Sequence, residues 1–130
     1  MKKVILRPGH KRAVVCGRLK YNLPWKGKYP DIVPAYENMA TMVKFFRKAG
    51  FKKDEIIELR DPTIETIEKV FKELIDFNNQ LRKSKSDVPS FVGFYFAGHS
   101  VVNKKGQLEI VLDSDEYLNV NDQFRDAILN

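Results

Sequence analysis

The segment Phe91-Val92-Gly93-Phe94-Tyr95-Phe96-Ala97 runs for seven residues without a charge and without alternation of polar and apolar side chains. It is far shorter than the roughly 20 residues a membrane-spanning helix needs. A strand with one wet face would alternate, so an unbroken apolar run marks a strand covered on both faces. Such strands belong to mainly parallel sheets, whose crossovers place helices on the two faces. The run therefore predicts an α/β fold with residues 91–97 as a central strand.

The rest of the chain supplies the other layers. Residues 12–17, Arg-Ala-Val-Val-Cys-Gly, form a second short apolar run and read as a buried parallel strand. Pro24, Gly27 and Pro30 make residues 18–31 a loop, in which Tyr21, Trp25 and Tyr29 pack down or form a contact surface. Ala35, Met39, Met42, Val43 and Phe46 recur at helical spacing between Pro34 and Gly50, so residues 34–49 read as a helix. Residues 55–59 give a further strand, and Asp61-Pro62 supplies an N-cap with proline at the first helical position. The helix that follows carries Ile64, Ile67, Phe71, Leu74 and Ile75 on one broad stripe and runs to about Lys83, where Arg82, Lys83 and Lys85 suit the negative end of the helix dipole.

Beyond the central strand, Val101-Val102 and residues 107–112 flank Asn103-Lys104-Lys105-Gly106, which predicts a hairpin. Val120, Phe124, Ala127 and Ile128 predict a last helix over residues 119–129.

With 130 residues there is room for one ordinary domain. The net charge of +6 is uneven: residues 1–30 hold nine Lys or Arg and no acid, so the remaining residues carry 14 bases against 17 acids, or −3. Residues 1–11 are read as a basic N-terminal segment and residues 12–130 as the domain. Lys2, Lys3, Arg7, Lys11 and Arg12 form a candidate patch for an acidic partner; no nucleic-acid fold signature accompanies them, and a solvated lysine-rich surface is the simpler account. A single cysteine, Cys16, excludes an internal disulfide and any cysteine-rich metal cluster. It fits a reducing intracellular compartment, the cytoplasm being the expected one. A mitochondrial presequence is the alternative that the basic N-terminus raises, although serine is absent there.

Ligands of open α/β sheets bind beyond the carboxyl ends of the strands, and Gly98-His99-Ser100 occupies that end of the most apolar strand. A histidine there can move protons near neutral pH, and the preceding glycine allows a sharp turn out of the strand. In this setting residues 94–100, Phe-Tyr-Phe-Ala-Gly-His-Ser, resemble the strand that ends in the catalytic histidine of caspases, metacaspases and paracaspases. Ala13-Val14-Val15-Cys16-Gly17 with Tyr21-Asn22 is similar to their first strand and loop, Tyr36-Glu37-Asn38-Met39 through Gly50-Phe51 to their first helix, and Asp61-Pro62-Thr63 with Ile67 to the start of their second. The hairpin and the Asp113-Ser114-Asp115 region follow in the same order, so the resemblance spans roughly residues 11–130. Its Gly-His element is specific and its helices are generic.

The resemblance implies a three-layer fold with a mainly parallel sheet in the order 2-1-3 and helices on both faces. It makes His99 the proton-transfer group that assists a cysteine thiolate, and position 100 a backbone donor to the oxyanion. Two departures accompany it. The family's nucleophile lies on the next core strand, and these residues hold no counterpart; Ser100 stands where the family has glycine. Cys16, inside an apolar strand, is not expected to substitute. His10 has no identifiable partner, and Asp113, Asp115 and Glu116 read as a solvated acidic loop, so neither metal nor cofactor is expected.

In the order 2-1-3 the third strand also becomes an uncharged sheet edge, which a continuing chain or a protein partner is expected to cover. The expected function is a caspase-like domain without a catalytic cysteine, a binding or structural module in a larger assembly. The alternative is the histidine-bearing part of an active caspase- or metacaspase-type cysteine endopeptidase whose cysteine lies on another segment.

Overall fold

A computed structural model describes residues 11–21, 31–83, 91–113, 116–120 and 122. Three strands form a parallel sheet: β1 (Lys11–Gly17), β2 (Ile56–Arg60) and β3 (Phe91–Ala97), in the order β2-β1-β3. Two helices form the crossovers, α1 (Ala35–Lys48) and α2 (Ile64–Lys83). A second, antiparallel sheet follows, built from β4 (Ser100–Val102), β5 (Leu108–Asp113) and β6 (Glu116–Asn119) in that order.

The period-two geometry of β1 divides the core. Ala13 and Val15 face α1 and pack with Met39, Phe46 and Phe51. Val14 and Cys16 face the other way, into a cluster with Ile67, Val70, Phe71 and Leu74 of α2 and with Ile110, Leu112 and Leu118 of the second sheet. Helices on both faces and the order 2-1-3 are as the resemblance implies.

The central strand is β1, not β3. Residues 13–16 are inaccessible to solvent, whereas β3 is half-buried along most of its length and Phe91 is 40% exposed. Strand β3 pairs in parallel with β1 from Lys11↔Phe91 to Gly17↔Ala97, and among the described residues no strand lies along its other side. An apolar run reports the cover a strand is built for and says nothing of whether its two neighbours are strands.

Helix α1 ends in a Schellman motif. Gly50 lies at φ +99°, its N–H donates to the Arg47 carbonyl at 3.1 Å, the Phe51 N–H donates to the Phe46 carbonyl at 3.0 Å, and the Phe46 and Phe51 rings meet at 4.9 Å. Strand β2 begins at Ile56 and not at residue 55, because Glu55 closes a short 3₁₀ turn, Lys53–Glu55. Its buried carboxylate accepts the Lys52 N–H at 2.8 Å and stands 3.8 Å from the Arg12 guanidinium.

The cap of α2 also differs from expectation. Thr63, not Asp61, is the N-cap, its hydroxyl accepting the Thr66 N–H at 3.2 Å. Asp61 sits at φ +47°, a left-handed conformation that aspartate tolerates better than most residues, and its carboxylate turns back toward the segment after β1.

The hairpin turn is as expected. Gly106 adopts φ +77°, and the Asn103 carboxamide oxygen accepts the N–H groups of Lys105 and Gln107, each at 2.9 Å. The hairpin is extended to a three-stranded meander by β6, which sequence reasoning had assigned in part to a last helix. Asn119 closes this strand, Val120 and Asp122 are helical as their spacing predicts, and residues 121 and 123–129 lie outside the described residues. The four residues of β6, polar at both ends and apolar in the middle, show no period-two alternation that could have announced a strand.

Candidate active site at the end of strand β3

Strand β1 ends one residue pair after Cys16↔Phe96, at Gly17↔Ala97, and the two chains then separate. The last parallel bond is the Arg18 N–H to the Ala97 carbonyl at 2.8 Å. His99 follows two residues later and is fixed through its main chain on both sides. Its N–H donates to the Tyr21 hydroxyl at 2.7 Å, and its carbonyl accepts the Val111 N–H at 2.9 Å. The Tyr21 and His99 rings meet edge-to-face with centroids 4.8 Å apart.

Gly98 does not use the conformational freedom expected of it, since the positive-φ glycines among the described residues are Gly50 and Gly106. What it provides is space: a Cβ there would lie 2.7 Å from the Tyr21 hydroxyl and against the Phe96 ring.

Tyr21 is itself held. Its N–H donates to the Asp31 carboxylate at 3.0 Å, and its ring is 6% exposed. The preceding N–H groups of Leu19 and Lys20 donate to Asp61 Oδ1 at 2.7 and 3.3 Å, and the Tyr36 hydroxyl donates to Oδ2. Burial raises the Asp61 pKa, but these three hydrogen bonds together outweigh it and hold the carboxyl below its ordinary value. Tyr36 is pushed up, chiefly because its hydroxyl donates to that carboxylate. Tyr21 is pushed up by burial, against the opposing effect of the His99 N–H.

Arg18, counted at first with the basic N-terminal residues, is buried. Its Nε donates to the Lys20 carbonyl at 2.8 Å and its Nη1 to the Pro62 carbonyl at 3.1 Å. Sequence reasoning missed the roles of Tyr21, Asp61 and Arg18 because each acts through a partner distant in the chain, 78, 42 and 44 residues away.

The other candidate residues do not converge on His99. The Cys16 side chain is inaccessible, lies in the cluster under α2, and its thiol is pushed up to about 12 by burial, against the opposing charge of Arg18. A thiol in that state is essentially never the thiolate near neutral pH. Lys11 is buried in β1 with its ammonium over the Phe51 ring, and Arg12 stacks on Phe77 at 4.3 Å, so these two members of the basic patch are built into the fold. Lys2, Lys3, Arg7 and His10 lie outside the described residues. The acidic group is divided: Asp113 ends β5, Glu116 is exposed at the start of β6, and Asp115 lies outside the described residues.

On the face of β3 that carries Phe94 and Phe96, a cavity of about 290 Å³ is lined by these two residues with Gly98, Ser100, Leu108, Ile110 and Val120. Exposed Leu108 and Val102, 49% and 68% accessible and paired across β4 and β5, extend its apolar character to the surface.

A parallel 2-1-3 sheet between helices, with Gly-His at the carboxyl end of the third strand, is the arrangement the resemblance implied. The family model for the caspase domain matches residues 10–130. The chain belongs to the caspase-domain family. No curated protein matches it, and no solved structure does. Among the described residues no helix is long and apolar enough to cross a membrane.

Proposed function

We propose that this caspase domain acts as a protein-binding module and that its docking element is the outer edge of β3 with the adjoining apolar cavity. The observation that carries the reading is the uncharged edge beside a cavity lined by Phe94, Phe96, Leu108, Ile110 and Val120. Main-chain groups along such an edge bind an added strand, and the cavity accepts alternate apolar side chains of that strand. Natural sheets rarely leave an edge of this kind bare. The Cys16 thiol, buried and pushed up to about 12, supports a non-catalytic role for these 130 residues taken by themselves.

The test uses surface residues at the cavity rim. A photo-crosslinker at Leu108 in protein expressed in its native cells is expected to give one dominant protein adduct, which Leu108→Lys and Val102→Lys together abolish. Adducts spread over many proteins, or unaffected by the substitutions, count against the reading.

A second reading is favoured by the doubly fixed main chain of His99. In it, the strand added along β3 brings a cysteine. The His99 imidazole takes the thiol proton, sulfur attacks the peptide carbonyl carbon, and the same proton passes to the leaving amine as the carbon–nitrogen bond breaks. The Ser100 N–H is then a donor to the oxyanion. Hydrolysis of peptides with Arg, Lys or Asp before the scissile bond, abolished by His99→Ala, supports this reading. Hydrolysis that survives His99→Ala removes it.

A further inference from the structure

We infer that Tyr21 is a positioning residue for His99, an inference that rests on the reading of His99 as a proton-transfer group. At the end of the β1–β3 ladder the next main-chain donor of β3 meets a side-chain oxygen: the His99 N–H donates to the Tyr21 hydroxyl at 2.7 Å. The same residue places its ring edge-to-face against the imidazole at 4.8 Å. One side chain thus restrains both the backbone and the ring of the histidine.

Two features mark this as a built arrangement. Tyr21 is anchored independently of His99, through its N–H to Asp31 at 3.0 Å and through the neighbouring Leu19 and Lys20 amides to Asp61. Position 98 leaves the hydroxyl its space, since a Cβ would stand 2.7 Å from it. A residue that merely filled the loop interior would need the ring alone. The hydroxyl, aimed at the one amide that sets where the imidazole starts, is what distinguishes positioning from packing.

The experiment is NMR on the isotopically labelled 130-residue chain, whose two histidines allow the imidazole signals to be assigned with a His10→Ala variant. Tyr21→Phe keeps the ring contact and removes the acceptor. The His99 amide is expected to exchange about tenfold faster, with the imidazole shifts little changed and the melting curve close to that of the parent. Tyr21→Leu removes both restraints, and the His99 χ1 couplings are expected to move toward rotamer averages. Unchanged His99 exchange in Tyr21→Phe overturns the inference, and this variant decides even if Tyr21→Leu does not fold.

The peptidase reading is tested separately. In protein from native cells that hydrolyses peptides, Tyr21→Phe lowers kcat at unchanged KM. Absence of hydrolysis alongside the expected NMR changes removes the peptidase reading and with it the positioning role, leaving Tyr21 a structural restraint on His99.

Discussion

The Asp61 carboxylate ties three separate stretches of chain together, the segment after β1, helix α1 and the entry to α2, through the amides of Leu19 and Lys20 and the hydroxyl of Tyr36. Removing it in Asp61→Ala is expected to cost about 1 kcal/mol, the low end for bonds to a charged group because the site is partly exposed and water competes. The pH dependence follows from the sign of its shift. The folded pKa lies below the ordinary 3.8, so the contribution is fully present well above that value and is lost as pH falls through the folded one. Denaturant titrations from pH 7 to pH 2 are expected to show a shallower acid loss in Asp61→Ala than in the parent; parallel curves would contradict this. Cys16 offers a second check. With the thiol inaccessible and pushed up to about 12, iodoacetamide at pH 8 is expected to leave the intact mass of native protein unchanged and to add one adduct after unfolding. Rapid labelling of the folded chain would mean that β1 opens.

At the scale of elements, the stops are sharper than the starts. Gly50 ends α1 in the left-handed region, where an added Cβ would meet only the Lys11 ammonium at an ordinary 3.8 Å, so Gly50→Ala is expected to cost about 1–2 kcal/mol from backbone strain alone. Thr63→Ala, which deletes the N-cap of α2, is expected to cost about 1 kcal/mol. Equilibrium unfolding checks both, and a neutral Thr63→Ala would return the cap to Asp61. The contrast explains what was legible in the sequence. Helix spans, the parallel strands and the Asn103–Gly106 turn follow from local periodicity and from residues with special backbone preferences, and so does the Gly-His element at the carboxyl end of β3. The capping role of Asp61 was misread because an Asp-Pro pair is a local signal, and three long-range hydrogen bonds override it. Tyr21 was read only as an aromatic in a loop, since nothing within ten residues of it announces that its hydroxyl meets residue 99. The short strand β6 was hidden by its length and by the helical spacing of the residues after it.

For the molecule as a whole, the fold fixes where chemistry can occur without fixing whether it does. Membership of the caspase-domain family is shown by the match over residues 10–130; what covers β3 is the functional question. Left alone at high concentration, the chain is expected to self-associate through that edge and its cavity. Sedimentation velocity should then show a concentration-dependent shift that Leu108→Lys with Val102→Lys reduces. The central claim is that the outer edge of β3 is a docking edge, and hydrogen exchange of residues 91–97 tests it most directly. Measured on dilute 130-residue chain and on the protein purified intact from its native cells, the alternate amides that do not face β1 are predicted to exchange at least about tenfold more slowly in the native form. Equal exchange in the two samples would contradict the claim, since it would mean that nothing pairs with β3 in the cell.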